Sequence, residues 1–282
     1  MTIRNYTRQV LNQLRAKVRR TLSTKLARRI IPMHNEVPLV SFTFDDFPHS
    51  AWSEGGAILE DYGIRGTFFA SFGLVDSTDD TSKMFSLEDV HHIMEQKHEL
   101  GCHTYDHYNA WDTSCSEFEA SILRNREALK KFFPDSSFKT LAYPISCPRP
   151  EIKRRMMNYF ECCRAGGQTF NVGSIDLGFV KACFLEKTRN NFDFVARLIE
   201  LNNQRKGWLV FATHDISQRP TDFGCTPTLF KRVVRYAAKS GARILPVCEA
   251  LENIRGNKLS ELPSPRSGST TQRIDVNVVG VH

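Results

Sequence analysis

Leu39-Val40-Ser41-Phe42-Thr43-Phe44-Asp45-Asp46 decides how the rest of this 282-residue chain is read. A run of apolar and β-branched residues predicts a strand, and it stops at two adjacent carboxylates. Within a strand, neighbouring side chains point to opposite faces. Two acids at the strand's end escape that rule and can turn into one site. Carboxylates held close resist ionising together unless a cation neutralises one of them. Taken alone, Asp-Asp after a strand is an ordinary solvated turn, so the remaining sequence has to decide.

Outward from this stretch the chain alternates. Strands are predicted at 38–44, 64–70, 99–102, 139–143, 159–164, 180–184, 208–213 and 243–247. Helical periodicity marks 53–62, 86–97, 115–132, 150–158, 190–204 and 228–240, with Ser86 as an N-cap ahead of Glu88 and Asp89. Repeated strand–helix units imply an α/β fold with a parallel sheet, either a barrel or a doubly wound sheet. The length suits one such domain, because barrels of about 250 residues commonly form a single unit.

The net charge of +7 is unevenly placed. Residues 1–35 hold Arg4, Arg8, Arg15, Lys17, Arg19, Arg20, Lys25, Arg28 and Arg29 and no acid, which leaves the remainder at −2. Leu11, Leu14, Val18, Leu22, Leu26 and Ile30 recur there at three- and four-residue steps, the pattern of an amphipathic helix. Such an arm can lie on an anionic membrane through residues 1–30, pack on the domain, or bind a partner. Nucleic acid is the least favoured partner, since Tyr6 is the arm's one aromatic and gives no stacking platform. The organisation expected is a basic arm at 1–35, a main domain at 36–255 and a loosely ordered tail at 256–282. No run of about 18 apolar residues occurs, and residues 1–30 lack the continuous apolar core of a signal peptide. The eight cysteines show no CxxC spacing. The expectation is a cytoplasmic protein with reduced thiols, possible at a membrane face through the arm.

Three further clusters carry chemistry. Gly101-Cys102-His103-Thr104-Tyr105-Asp106-His107 sets two histidines four apart, so one helical turn would put both imidazoles on the same side. Imidazole nitrogen plus carboxylate oxygen suits a borderline divalent metal such as zinc. His91, His92 and His98 lie in a helical pattern and read as surface or packing residues. Leu141-Ala142-Tyr143-Pro144-Ile145-Ser146 is a second apolar run ending in a turn, and Trp208-Leu209-Val210-Phe211-Ala212-Thr213-His214-Asp215 delivers a histidine at a strand end. In parallel α/β folds, active sites gather at the carboxyl ends of strands. The joint pattern is therefore far more specific than any member of it.

Thr43-Phe44-Asp45-Asp46, His103-Thr104-Tyr105-Asp106-His107 and Thr213-His214-Asp215 together resemble the polysaccharide deacetylase family, the NodB homology group also called carbohydrate esterase family 4. Arg65-Gly66-Thr67-Phe68-Phe69 is similar to that family's second strand, and His98-Glu99-Leu100-Gly101 to its approach to the histidine motif. The resemblance runs from about Val37 to about Leu251. It implies a distorted (β/α) barrel, seven-stranded and NodB-like, with a divalent metal: zinc, or cobalt or another transition ion. It implies Asp46, His103 and His107 as metal ligands, Asp45 as general base, His214 as general acid and the Ile145 backbone N–H as oxyanion donor. The implied reaction is hydrolytic removal of N-acetyl groups from a sugar, oligosaccharide or lipid-linked glycan by metal-activated water.

The departures from the family pattern matter equally. Ala142-Tyr143-Pro144-Ile145 stands where many members have Arg-Pro-Pro-Tyr, so the arginine that contacts the base is missing. No Asp-x-x-Asp-Trp fourth motif is present. Arg164 is the candidate substitute, orienting Asp45 or contacting substrate alongside Tyr143, Pro144 and Ile145. Phe47, Trp52, Tyr105, Tyr108 and Trp111 are candidates for stacking on sugar rings, with a core role as the alternative for each. Two other functions fit: a deformylase of a lipid-linked aminosugar, and a non-catalytic glycan-binding scaffold on the same fold.

Overall fold

A computed structural model describes residues 3–78, 83–145 and 147–260, with side chains from residue 13 to residue 256. Helix α1 (Ile3–Lys25) leads into a short strand, β1 (Ile30–Pro32). There follow β2 (Leu39–Asp45), a π-helical turn at 51–56, α2 (Ala57–Glu60), β3 (Thr67–Ala70), α3 (Leu87–Glu95) and β4 (Glu99–Cys102). Next are α4 (Cys115–Phe132), β5 (Thr140–Ala142), α5 (Pro150–Met156), β6 (Cys162–Arg164), β7 (Ser174–Asp176) and β8 (Cys183–Phe184). The described chain ends with α6 (Phe192–Gln204), β9 (Trp208–Thr213), α7 (Pro227–Lys239), β10 (Arg243–Ile244) and α8 (Val247–Ser260).

Seven parallel strands in the order β6-β5-β4-β3-β2-β9-β8 curl into a half-barrel, and β10 adds to the start of β2. This is the distorted barrel expected from the sequence. The two ends of the sheet approach each other through the segment before β8. Cys163 N donates to Leu177 O at 2.7 Å and Val180 N to Cys163 O at 2.9 Å. Every residue of β2 is buried, as a central parallel strand covered on both faces requires. Its aromatic residues set the core: Phe42 stacks on Phe211 at 5.4 Å and Phe44 on Phe68 at 4.6 Å. Ser86 caps α3 in a reciprocal box with Asp89, as its position predicts.

The structure differs from the sequence reading at both ends of the main domain. β1 pairs antiparallel with β7, so the chain joins the domain before residue 36. α8 runs to Ser260, past the boundary at 255 and through the start of the expected loose tail. Residues 261–282 of that tail lie outside the described residues, as does Ser146. No described helix is long and apolar enough to cross a membrane.

Candidate active site

The site is built at the carboxyl ends of the strands. β2 ends at Asp45, and the backbone then turns sharply: Asp46 has φ 56° and Phe47 φ 25°. That left-handed turn costs roughly 1–2 kcal/mol per non-glycine residue and breaks the strand alternation, so both carboxylates serve one site. β4 ends one residue before His103. From there the path to His107 is a loop with left-handed Thr104 (φ 63°) and His107 (φ 53°). The expected helical turn is absent, and these two reversals bring the imidazoles together instead, with ring centres 5.2 Å apart.

His103 Nε2 lies 3.7 Å from Asp46 Oδ1, and His107 Nε2 lies 3.3 Å from Asp46 Oδ2. One ligand atom from each of the three falls within 4.8 Å of the others. The Nδ1–H of His103 donates to the Ala142 carbonyl at 2.8 Å, which fixes the tautomer and leaves Nε2 with its lone pair toward Asp46. Asp46 Oδ1 is buried without a hydrogen-bond partner. Two imidazole nitrogens and an orphaned carboxylate oxygen are a donor set that fits a divalent metal. The electrostatics agree. Burial alone would raise the Asp46 carboxyl, but His103, His107 and His214 outweigh it and hold the pKa at about 2. Burial lowers His103 to about 4 despite the pull of Asp46 and Asp45, so this ligand is neutral at ordinary pH. Burial also works against a charged His107, yet its hydrogen bond to Asp46 raises it above the usual histidine value.

Asp45 is held from the opposite side. The Arg164 guanidinium, at the end of β6 and fully buried, donates to Asp45 Oδ2. It is clamped between the rings of Phe69 and Phe184, at 5.3 and 5.2 Å. Asp45 Oδ1 remains buried and without a partner. His214, just past β9, donates from Nδ1 to the Phe223 carbonyl at 3.2 Å and places Nε2 3.9 Å from Asp46 Oδ2. Asp215 secures that loop by accepting from Thr221 N at 3.0 Å. The turn after β5 contributes backbone: Pro144 is buried, and Ile145 is left-handed at φ 61° and exposed.

Several candidate residues fall elsewhere. Tyr143 turns its side chain into the core beside Phe118, so only its backbone reaches the rim. Phe47 is fully buried and stacked on Phe85, and Trp52, partly buried, packs against Phe68 and His98, the core role for each. Trp111 lies under Arg19 and Tyr105 under Arg124, while Tyr108 is exposed. His98 is a packing residue that accepts from Gly66 N at 2.9 Å. One neighbour of the site was not anticipated. Glu186, just after β8, has Oε2 buried without a partner; burial chiefly, with some push from Asp45, raises its pKa to about 7. No motif marks it in the sequence.

The polysaccharide deacetylase family model matches residues 34–159, which include Asp45, Asp46, His103 and His107 but stop short of Arg164 and His214. No curated protein is similar in sequence. Similar solved structures include a chitin deacetylase from Colletotrichum lindemuthianum, 17% identical with TM-score 0.54, covering 78% of this chain and 89% of its own. A family 4 acetyl xylan esterase from Clostridium thermocellum, in complex with a cobalt ion, is 20% identical with TM-score 0.54, covering 77% and 92%. A mutant of a CE4 family pseudoenzyme with restored activity is 14% identical with TM-score 0.54, covering 78% and 70%. By this match over residues 34–159 and by its fold, the chain is similar to the polysaccharide deacetylase family.

Proposed function

We propose that this protein is a divalent-metal-dependent hydrolase that removes N-acetyl groups from a carbohydrate: a sugar, an oligosaccharide or a lipid-linked glycan. The observation that carries this reading is the pairing of two adjacent carboxylates with separate tasks. Asp46 faces His103 and His107, while Asp45 is tied through one oxygen to Arg164 and keeps the other free. Asp46, His103 and His107 would hold zinc or cobalt, and the ion would supply Lewis acidity toward the acyl carbonyl and lower the pKa of the attacking water. Asp45 Oδ1 takes the proton of that water as its oxygen bonds to the acyl carbon. The Ile145 N–H supports the charge that develops on the carbonyl oxygen. His214 gives a proton from Nε2 to the amide nitrogen as the C–N bond breaks, since an unprotonated amine leaves poorly. Arg164 replaces, from a neighbouring strand, the arginine missing from Ala142-Tyr143-Pro144-Ile145.

The testing measurement is metal content per chain after incubation with zinc or cobalt, for wild type and His107→Ala. One tightly held ion, lost in the variant, is the expected result. Acetate release from N-acetylated oligosaccharides then follows, with formate release instead identifying the deformylase alternative. A specific ion in neither protein sinks the hydrolase reading and leaves a carbohydrate-binding scaffold, a reading favoured by the altered third motif and the likeness to a pseudoenzyme.

A further inference from the structure

Helix α1 is attached in an unusual manner. Its end is pinned to the domain by polar groups: Lys153, fully buried, donates from Nζ to Ser23 O at 2.8 Å, Leu26 O at 3.0 Å and Asp176 at 2.6 Å. The Ser23 hydroxyl donates to Pro148 O, and Arg19 forms a two-point pair with Asp112, its guanidinium over the Trp111 ring. The apolar stripe is not what holds the helix. Leu14, Val18, Leu22 and Leu26 are 56%, 49%, 37% and 47% exposed, uncovered by the described chain. Amphipathic helices ordinarily bury that stripe in the core.

Beside the stripe stand Arg15, Lys17, Lys25 and Arg28, all exposed, in a segment without a single acid. An apolar stripe flanked only by cations matches a surface that is both apolar and anionic. The place of attachment also matters. Trp111, Asp112 and Pro148 belong to the loops that leave His107 and Ile145, so the helix sits on the rim of the catalytic site. Ile145, Tyr108 and Phe223 add exposed apolar side chains to that end of the sheet.

We infer that residues 3–30 dock this protein on an anionic phospholipid surface, with the mouth of the Asp46–His103–His107 centre held beside the headgroups. The helix supplies both signals that lasting adsorption needs, apolar insertion and charge attraction. Docking does not depend on the reaction proposed above.

The test is sedimentation of the full-length protein with phosphatidylcholine vesicles, with and without phosphatidylglycerol. The expected result is pelleting with anionic vesicles only, reversed in about 0.5 M salt, where the Debye length falls to a few ångströms. The exposed pair V18S/L22S should lose binding at unchanged thermal stability. The pair R15Q/K17Q should weaken it roughly 5-fold per charge removed. A wild type that stays in solution, pellets equally with neutral vesicles, or is matched by V18S/L22S overturns the inference. So does heparin binding that only R15Q/K17Q weakens while no vesicle binds, which would assign the arm to a soluble polyanion. Metal content, read on the same samples, reports separately on the catalytic reading.

Discussion

At the level of single residues, Arg164 and Glu186 are the buried groups that neighbour Asp45. Removing Arg164 leaves a buried carboxylate without its cation, a change that typically costs about 3–5 kcal/mol. Arg164→Ala is therefore expected to unfold at markedly lower denaturant, and its remaining folded fraction to turn over about 100-fold slower or worse. Unchanged kinetics in that variant would remove Arg164 from the mechanism. Glu186 acts on stability with the opposite sign to a salt-bridged acid. Its folded pKa, at about 7, lies above the unfolded value of 4.5. The unfolded state thus loses its proton first, and stability falls as pH rises from about 4.5 to 7. Glu186→Gln should be more stable than wild type at pH 8 by up to about 3 kcal/mol, with little gain at pH 4. Denaturant titrations at both pH values check it. The sequence made Asp45, Asp46, His103, His107 and His214 legible because each lies in a motif at or shortly after the end of a strand. Glu186 follows a two-residue strand with no pattern around it. The left-handed turns at Thr104 and His107 were also invisible, because nothing in a non-glycine residue type announces positive φ.

For the helices, local signals and tertiary demands can be separated. Capping boxes at Ser86 and Ser114 start α3 and α4 where cap chemistry places them. α8 was harder to read, because Gly256 resembles the start of a tail. A glycine within a helix costs only about 1 kcal/mol relative to alanine, less than the burial of Val247, Ala250, Leu251 and Ile254 returns. A Cβ at Gly256 meets no atom within 4 Å. Gly256→Ala should consequently stabilise the fold by about 0.5–1 kcal/mol, seen as a rise in Tm. Lys153 shows the converse, a single side chain that anchors a whole helix. Lys153→Met leaves the last carbonyls of α1 and Asp176 without their donor. It should make the arginine-rich arm sensitive to trypsin at concentrations that spare the wild type. Equal digestion of both proteins would show that the helix is held by other contacts. The β1–β7 pairing could not be read, because three-residue strands carry no usable periodicity.

For the molecule as a whole, metal uptake at the proposed Asp46–His103–His107 centre would be a proton exchange. Asp46 is ionised at any ordinary pH and His103 is neutral above about 4, whereas His107 holds its proton above the usual histidine range. Binding an ion must displace that proton. Zinc affinity should therefore rise about tenfold per pH unit until the raised His107 value is passed, then level off. Calorimetry in buffers of different ionisation enthalpy should count up to one proton released per ion. The metal-free protein responds in the opposite direction, losing the stability of the His107–Asp46 pair as pH climbs through that same value. One feature of the sheet also governs how the molecule comes into being. β2, which ends at Asp45, pairs along its length with β9, Leu39 lying opposite Trp208 and Phe44 opposite Thr213. At about 5–20 residues per second of synthesis, the strand waits beside the ribosome for roughly ten seconds or more before its partner is made. During that interval the backbone edge of β2 that faces β9 has no partner. A nascent chain halted before residue 208 would already possess Asp46, His103 and His107, the proposed metal ligands, and still lack the wall against which they are aligned.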